Sequence, residues 1–247
     1  MNALSLLLLA GYSLIQQPAK PAQSGPPLDA PAFKEPGCDL VSLGPNLWLD
    51  KNDKARRLLI RTSICRRDVP LEEFMCLKNT KEHESVLVAE LVPEVLHAGL
   101  LATGAKTGSI AKFQPDYQPP TGEKLEITVE WRDGKEFKRA RAQDWIRDGK
   151  TKKAIEFDFV FAGSQEISSP VTGKSYYLGN EGDLISVANF PGSIIDLAVK
   201  SSTDNQFQLF EAFKERIPPV NTEVIVIINP ARKPGTTPEP RTAKPAE

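Results

Sequence analysis

Both histidines of the chain, His83 and His97, fall between residues 71 and 108, as does one of its three cysteines, Cys76; Cys65 lies just upstream. Imidazole is the side chain most easily used for proton transfer or metal binding near neutral pH, and thiolate and carboxylate join it as ligands of zinc. A metal centre in this chain would therefore be built from Cys76, His83 and His97, with Glu82 or Glu84. The spacing matches no zinc signature, since there is no Cys-x-x-Cys pair and no His-Glu-x-x-His. An extended Glu82-His83-Glu84 would also point His83 away from its acidic neighbours, so the three converge only in a turn. The plainer expectation is a hydrogen-bonded His97 in the core, a surface His83 and a buried Cys76, with no metal and no cofactor.

Nucleophilic catalysis would use Cys76 with one histidine, in the positive field of Lys78 and Lys81. Against this, Phe74 two residues away places Cys76 on the buried face of a strand. Gly163-Ser164 follows a strand-like run, but Ala162-Gly163-Ser164-Gln165 lacks the second glycine of a nucleophile elbow. In an oxidising compartment three cysteines allow one bridge and leave one thiol. Cys65 and Cys76, both in short strand-like runs, are the pair expected to bridge, with three buried free thiols as the alternative. Two loops are more polar than packing requires: residues 114–122, with Asp116 and Tyr117 on a proline-stiffened turn, and residues 189–192, with Asn189 and Phe190. Loops on a rigid scaffold are where binding residues concentrate, so these four join the candidates.

The scaffold is bounded by composition. The chain has 247 residues, 40% hydrophobic, and 31 basic side chains against 32 acidic ones. That balance gives no basic excess to draw it onto nucleic acid. Residues 3–15 form an apolar run too short to span a bilayer but of signal-peptide length, which predicts export or an N-terminal anchor over 1–15. Residues 16–37, with six prolines, read as an extended linker, and 230–247 as a disordered tail. One folded domain is expected over 38–229.

Within it, strand-like runs occupy 58–65, 125–131, 136–141, 155–161, 183–187 and 224–228, with an Asp133-Gly134 hairpin turn between the second and third. A helix is expected over 93–103, with Pro93 in its first turn, Glu94 at its positive end and Gly104 as a left-handed cap. A second helix is expected over 207–216. These elements predict an α+β fold: a mostly antiparallel sheet with the first helix packed on it.

Several segments resemble one family. They are Leu71-Glu72, Lys81-Glu82-His83-Glu84, Leu96-His97-Ala98, Gly104-Ala105-Lys106-Thr107-Gly108, Pro119-Pro120-Thr121-Gly122, Phe161-Ala162-Gly163-Ser164, Gly182-Asp183-Leu184-Ile185-Ser186 and Asn189-Phe190-Pro191. Together they resemble the YdjY-like domain family of bacterial proteins over almost the whole folded region. The resemblance implies no particular reaction. Some relatives carry a cysteine-rich C-terminal segment suggestive of a redox or metal centre. Here no cysteine follows Cys76, and Ser186 stands where one would be expected. An iron–sulfur role, which needs a set of thiolates, is therefore not expected.

The resulting expectation is an exported, non-enzymatic module that binds a small molecule or protein partner. It would do so near His83 and His97 or through the two polar loops, with membrane contact only through an uncleaved N-terminus. The alternative is an enzyme or metal carrier built on Cys76, His83 and His97.

Overall fold

The computed structural model describes residues 38–52, 56–199 and 210–231. The expectations for the leader, the linker and the tail beyond residue 231 lie outside them. The described chain runs through β1 (Leu40–Gly44), β2 (Leu47–Asp50), β3 (Arg57–Ile64), β4 (Glu73–Leu77) and β5 (Ser85–Ala89) into helix α1 (Pro93–Ala102). It continues through β6 (Thr107–Ser109), β7 (Thr121–Gly122), β8 (Lys124–Asp133), β9 (Glu136–Arg141), β10 (Ile146–Asp148) and β11 (Phe159–Phe161). Then come β12 (Glu166–Ser168), β13 (Ser175–Tyr177), β14 (Asp183–Ser186), β15 (Ile195–Leu197), β16 (Phe210–Ala212) and β17 (Glu223–Pro230).

The expected α+β sheet is not what forms. Strands make up 45% of the structure against 12% helical, and eight of them close into a barrel. The ring runs β3-β17-β8-β11-β15-β14-β4-β5 and returns to β3. Closure depends on β3 taking two partners along one edge, β2 at residues 57–60 and β5 at residues 62–64. The β8 strand divides in the same way, between β11 at Lys124 and Leu125 and β9 over residues 128–133. Nor is the ring wholly antiparallel, because β4 with β5 and β14 with β15 pair in parallel. Alternation along one strand reports which face is buried, but not whether the two ends of a sheet meet.

Side chains fill the interior. Leu125, Ile127 and Val129 of β8 join the core, while Lys124 before them and Glu126 among them stay exposed. Phe74, Phe159, Phe161 and Trp145 are fully buried, each contributing on the order of 1.5–3 kcal/mol by leaving water. The first helix forms as expected, with Pro93 in its first turn, Glu94 behind it and Gly104 left-handed at φ +94°. Leu96 and Leu100 sink into the core.

Two further expectations fail. The run at 155–161 yields only the three-residue β11, and Phe157 is exposed. The second helix does not form where it is described. Residues 210–212 are β16, paired with β10, and 214–216 turn. Phe210 and Ala212 are buried with Glu211 between them, so a period-two pattern fits this segment and the β10 edge selects it.

Candidate functional site

The three residues first considered for chemistry do not meet. Cys76 is fully buried in β4. His83 is largely exposed on a 3-10 turn, Glu82–Glu84, and among the described residues its ionic neighbour is Glu84, at 3.6 Å. His97 is half-buried on α1. Its Nδ1 lies 2.9 Å from Tyr177 Oη, and its ring meets Phe161 edge-on at 5.0 Å. Burial lowers its pKa, against a hydrogen bond with Gly163, so the imidazole is neutral at pH 7. Burial also pushes the Tyr177 phenol up to about 12, and that hydroxyl donates to Gly163 O at 3.2 Å. His97 thus pins α1 to β13. Among the described residues, no group of three or more His, Cys, Asp and Glu could hold a metal ion.

The two polar loops, by contrast, converge. Tyr117 Oη donates to Asn189 Oδ1 at 2.5 Å, and Asn189 Nδ2 donates to Asp196 Oδ1 and to Leu197 O, each at 2.9 Å. Phe190, next in the chain, lies under the Lys81 ammonium, 3.8 Å from the ring centroid. Asp116 stays exposed and takes no part.

Behind Phe190 is a buried polar network that the search for histidine and cysteine chemistry missed. Lys81 Nζ lies 2.5 Å from Asp183 Oδ1 and 3.9 Å from Glu73 Oε1. Ser193 Oγ donates to Ser186 Oγ at 2.8 Å, and Ser186 Oγ sits 2.9 and 3.0 Å from the two Glu73 oxygens. Burial pushes Glu73 well above its ordinary pKa and the nearby Asp183 charge adds to this, while Lys81 and Ser186 oppose it. Burial raises Asp196 likewise, against its hydrogen bond from Asn189. Although burial works against its charge, Glu73 and Asp183 raise the Lys81 pKa and hold it protonated. The cluster therefore sets one ammonium among three acids, of which burial drives Glu73 and Asp196 toward their neutral forms, and this limits unbalanced charge in the interior. Gly192 is part of the fit: a Cβ there would lie 2.3 Å from Asp183 Oδ2. A signal was present in the sequence at Asp196, which interrupts the apolar β15, whereas Glu73 stands at the start of β4 directly after Glu72.

The segment that delivers Lys81 inward also lines a surface groove of about 460 Å³ with Lys78, Asn79 and Glu82. The β3 strand supplies Arg61 and Ser63, and Glu223 and Asn221 close one side. Lys78 pairs with Glu90 at 2.8 Å and Arg61 with Glu223 at 3.7 Å, both acids also lining the groove. Glu82 Oε1 accepts the Asn79 N–H at 2.5 Å. Three asparagines at the rim, Asn46, Asn79 and Asn221, take left-handed φ values of 56°, 66° and 68°. Asparagine tolerates that conformation at tight turns and still carries an amide. Asn46 Nδ2 donates to Glu90 O, whereas the Asn79 and Asn221 amides have no hydrogen bond within the described residues. Of the acidic candidates, Glu82 belongs to the groove and Glu84 lies near Lys81.

The chain belongs to the YdjY domain family, whose model matches residues 50–229. That span takes in every barrel strand except the terminal residue of β17, the Lys81 network and all of the groove but Asn46. No curated protein and no solved structure matches the chain.

Proposed function

We propose that this YdjY domain is a non-enzymatic binding module whose ligand lies in the groove between the 78–84 segment, β3 and the start of β17. The observation that carries the reading is the groove's lining. It offers two uncommitted amides, Asn79 and Asn221, beside two ion pairs, in a volume typical of small-molecule sites. Arg61 and Lys78 face Glu82, Glu90 and Glu223, a formal charge of −1, so the ligand class is polar and neutral or zwitterionic rather than strongly anionic. Lys81 acts behind the groove: its pairing with Asp183 anchors the segment that carries Lys78, Asn79 and Glu82.

The test removes the two amides without disturbing their turns. Asn79→Gly and Asn221→Gly keep the left-handed backbone accessible and delete only the side chain. The unmodified chain is screened by ligand-observed NMR against neutral sugars, free amino acids and nucleotides. Binding by a neutral or zwitterionic compound that is lost in the double variant is the expected result. Binding confined to nucleotides, or unchanged by the double variant, would overturn the reading.

Export belongs to the same proposal and rests on the apolar run at residues 3–15 ahead of a proline-rich segment. Residues 1–40 fused to a reporter active only outside the cytoplasm should give signal. A silent, cytoplasmic fusion would remove this part.

A further inference from the structure

The barrel wall carries apolar side chains on its outside as well as its inside. Trp48 on β2, Leu59 on β3, and Ile225 and Ile227 on β17 alternate with core residues of the same strands, so they face away from the interior. Pairing sets Trp48 opposite Leu59 and Leu59 opposite Ile227, which makes one continuous strip. Each of the four is nevertheless no more than 4% exposed. Among the described residues, Leu40 packs against the strip, and the Arg61 guanidinium stands over the Trp48 ring at 5.2 Å. Leu40 is on β1, three strand spacings or about 14 Å from β17, too far to shield the two isoleucines. Helix α1 touches β2 and β3 from the other face, where Gly99 approaches Leu43 and Leu58. Burial this deep calls for a further segment of chain over the strip.

We propose that the proline-rich stretch immediately before β1, residues 28–37, lies across this strip and seals the outside of the barrel wall, with Phe33 and Leu28 as its apolar contacts. The chain is already aimed there. Arg57 and Asp50, paired at 3.1 Å, share the outer rows of Leu59 and Trp48, two residues away along each strand. Arg57 Nη2 donates to Cys38 Sγ at 3.3 Å and the Asp39 N–H to Asp50 Oδ1 at 3.0 Å, so the segment is delivered at one end of the strip. Phe33, five residues upstream of Cys38, has a reach of up to about 17 Å, and Leu59 lies about 7 Å beyond Arg57 along β3.

Composition favours the same occupant. Phe33 and Leu28 are the large apolar side chains of residues 16–37 apart from proline, whereas residues 232–247 contain none. Pro26, Pro27, Pro31 and Pro36 lack the N–H needed to extend the sheet at β1, but a proline-rich extended chain packs well on an aromatic surface such as Trp48. Lys34 and Glu35, between Phe33 and Cys38, bring one charge of each sign to match the Arg57–Asp50 pair. The folded unit then begins near residue 28 and not at 38. Because these residues lie beyond the apolar run at 3–15, the contact does not depend on whether that run is removed.

The full-length chain carrying Phe33→p-benzoylphenylalanine is irradiated, and its cross-links are mapped by mass spectrometry. The expected product is an intramolecular link from position 33 to Trp48, Leu59, Ile225 or Ile227. Trypsin gives a second reading: in the unmodified chain the Lys34–Glu35 bond should be cut about tenfold more slowly than Arg241–Thr242, a difference that Phe33→Asp should erase. A link from position 33 to any other surface, a link between two copies, no link at all, or equal cleavage of the two bonds would overturn the proposal. So would capture of the strip by Leu9→p-benzoylphenylalanine, which would make the N-terminal apolar run its occupant.

Discussion

The Lys81 network and the groove share one segment, residues 78–84, yet they use polar groups in opposite ways. Inside, Lys81, Asp183, Glu73, Ser186, Ser193, Asn189 and Asp196 are directed at one another. Outside, Asn79 and Asn221 keep amides with no partner in the described chain. Chemical richness is therefore a poor guide to where a ligand goes. Among the described residues the buried cluster holds the acids pushed furthest upward, Glu73 and Asp196, and most of its groups pair with one another, although Asp196 Oδ2 is buried with no hydrogen-bond partner there. Recognition is expected where hydrogen bonds remain to be made.

Removing the cation should be the most damaging way to break this contrast. Lys81→Ala leaves the buried Asp183 without its ion-pair partner and should cost about 3–5 kcal/mol in denaturant unfolding at pH 8, with ligand binding at the groove lost as well. A loss below about 1 kcal/mol at pH 8 would mean that Lys81 is a surface residue, not an anchor.

A subtler change sharpens the comparison by fixing one acid in its neutral form. Glu73 and Asp196 titrate above their ordinary 4.5 and 3.8 in the folded chain, so protonation favours folding. Their contribution is complete below pH 4 and is lost as pH rises toward the folded values. Glu73→Gln, which mimics the neutral acid, should therefore match or exceed the unmodified chain in stability at pH 8. The difference should move in its favour as pH increases from 4. Unfolding curves at several pH values test this; a constant difference would show that Glu73 does not titrate out of place. The smallest effect on stability belongs to the groove, where the Asn79→Gly and Asn221→Gly variants should unfold within about 0.5 kcal/mol of the unmodified chain.

The sequence made α1 legible because its signals are local: Pro93, Glu94 and Gly104 each act within a turn of where they stand. The Asp133-Gly134 hairpin was legible for the same reason, with Gly134 at φ +62° between β8 and β9. Barrel closure was not, because it depends on β3 meeting β5 as well as β2, a choice made by distant partners. At the site, the polarity of the two loops singled out Tyr117 and Asn189 separately, and their hydrogen bond to each other could not be read from either loop alone. Attention to histidine and cysteine led away from Glu73 and Asp196, acids at the start of β4 and inside β15. Cys65 and Cys76, the pair expected to bridge, are both free thiols.

The place of β17 in the ring has a consequence for how the molecule is made. It hydrogen-bonds β3 through residues 223–228 and β8 through residues 224–230, joining strands laid down much earlier. A ribosome must therefore deliver nearly the whole domain before the ring can shut, and until then β3 and β8 each keep an unpaired edge. Strand pairings so far apart in the chain form slowly, so the nascent protein spends that interval open to mispairing. A cell that produces it has reason to shield those edges until the last strand arrives.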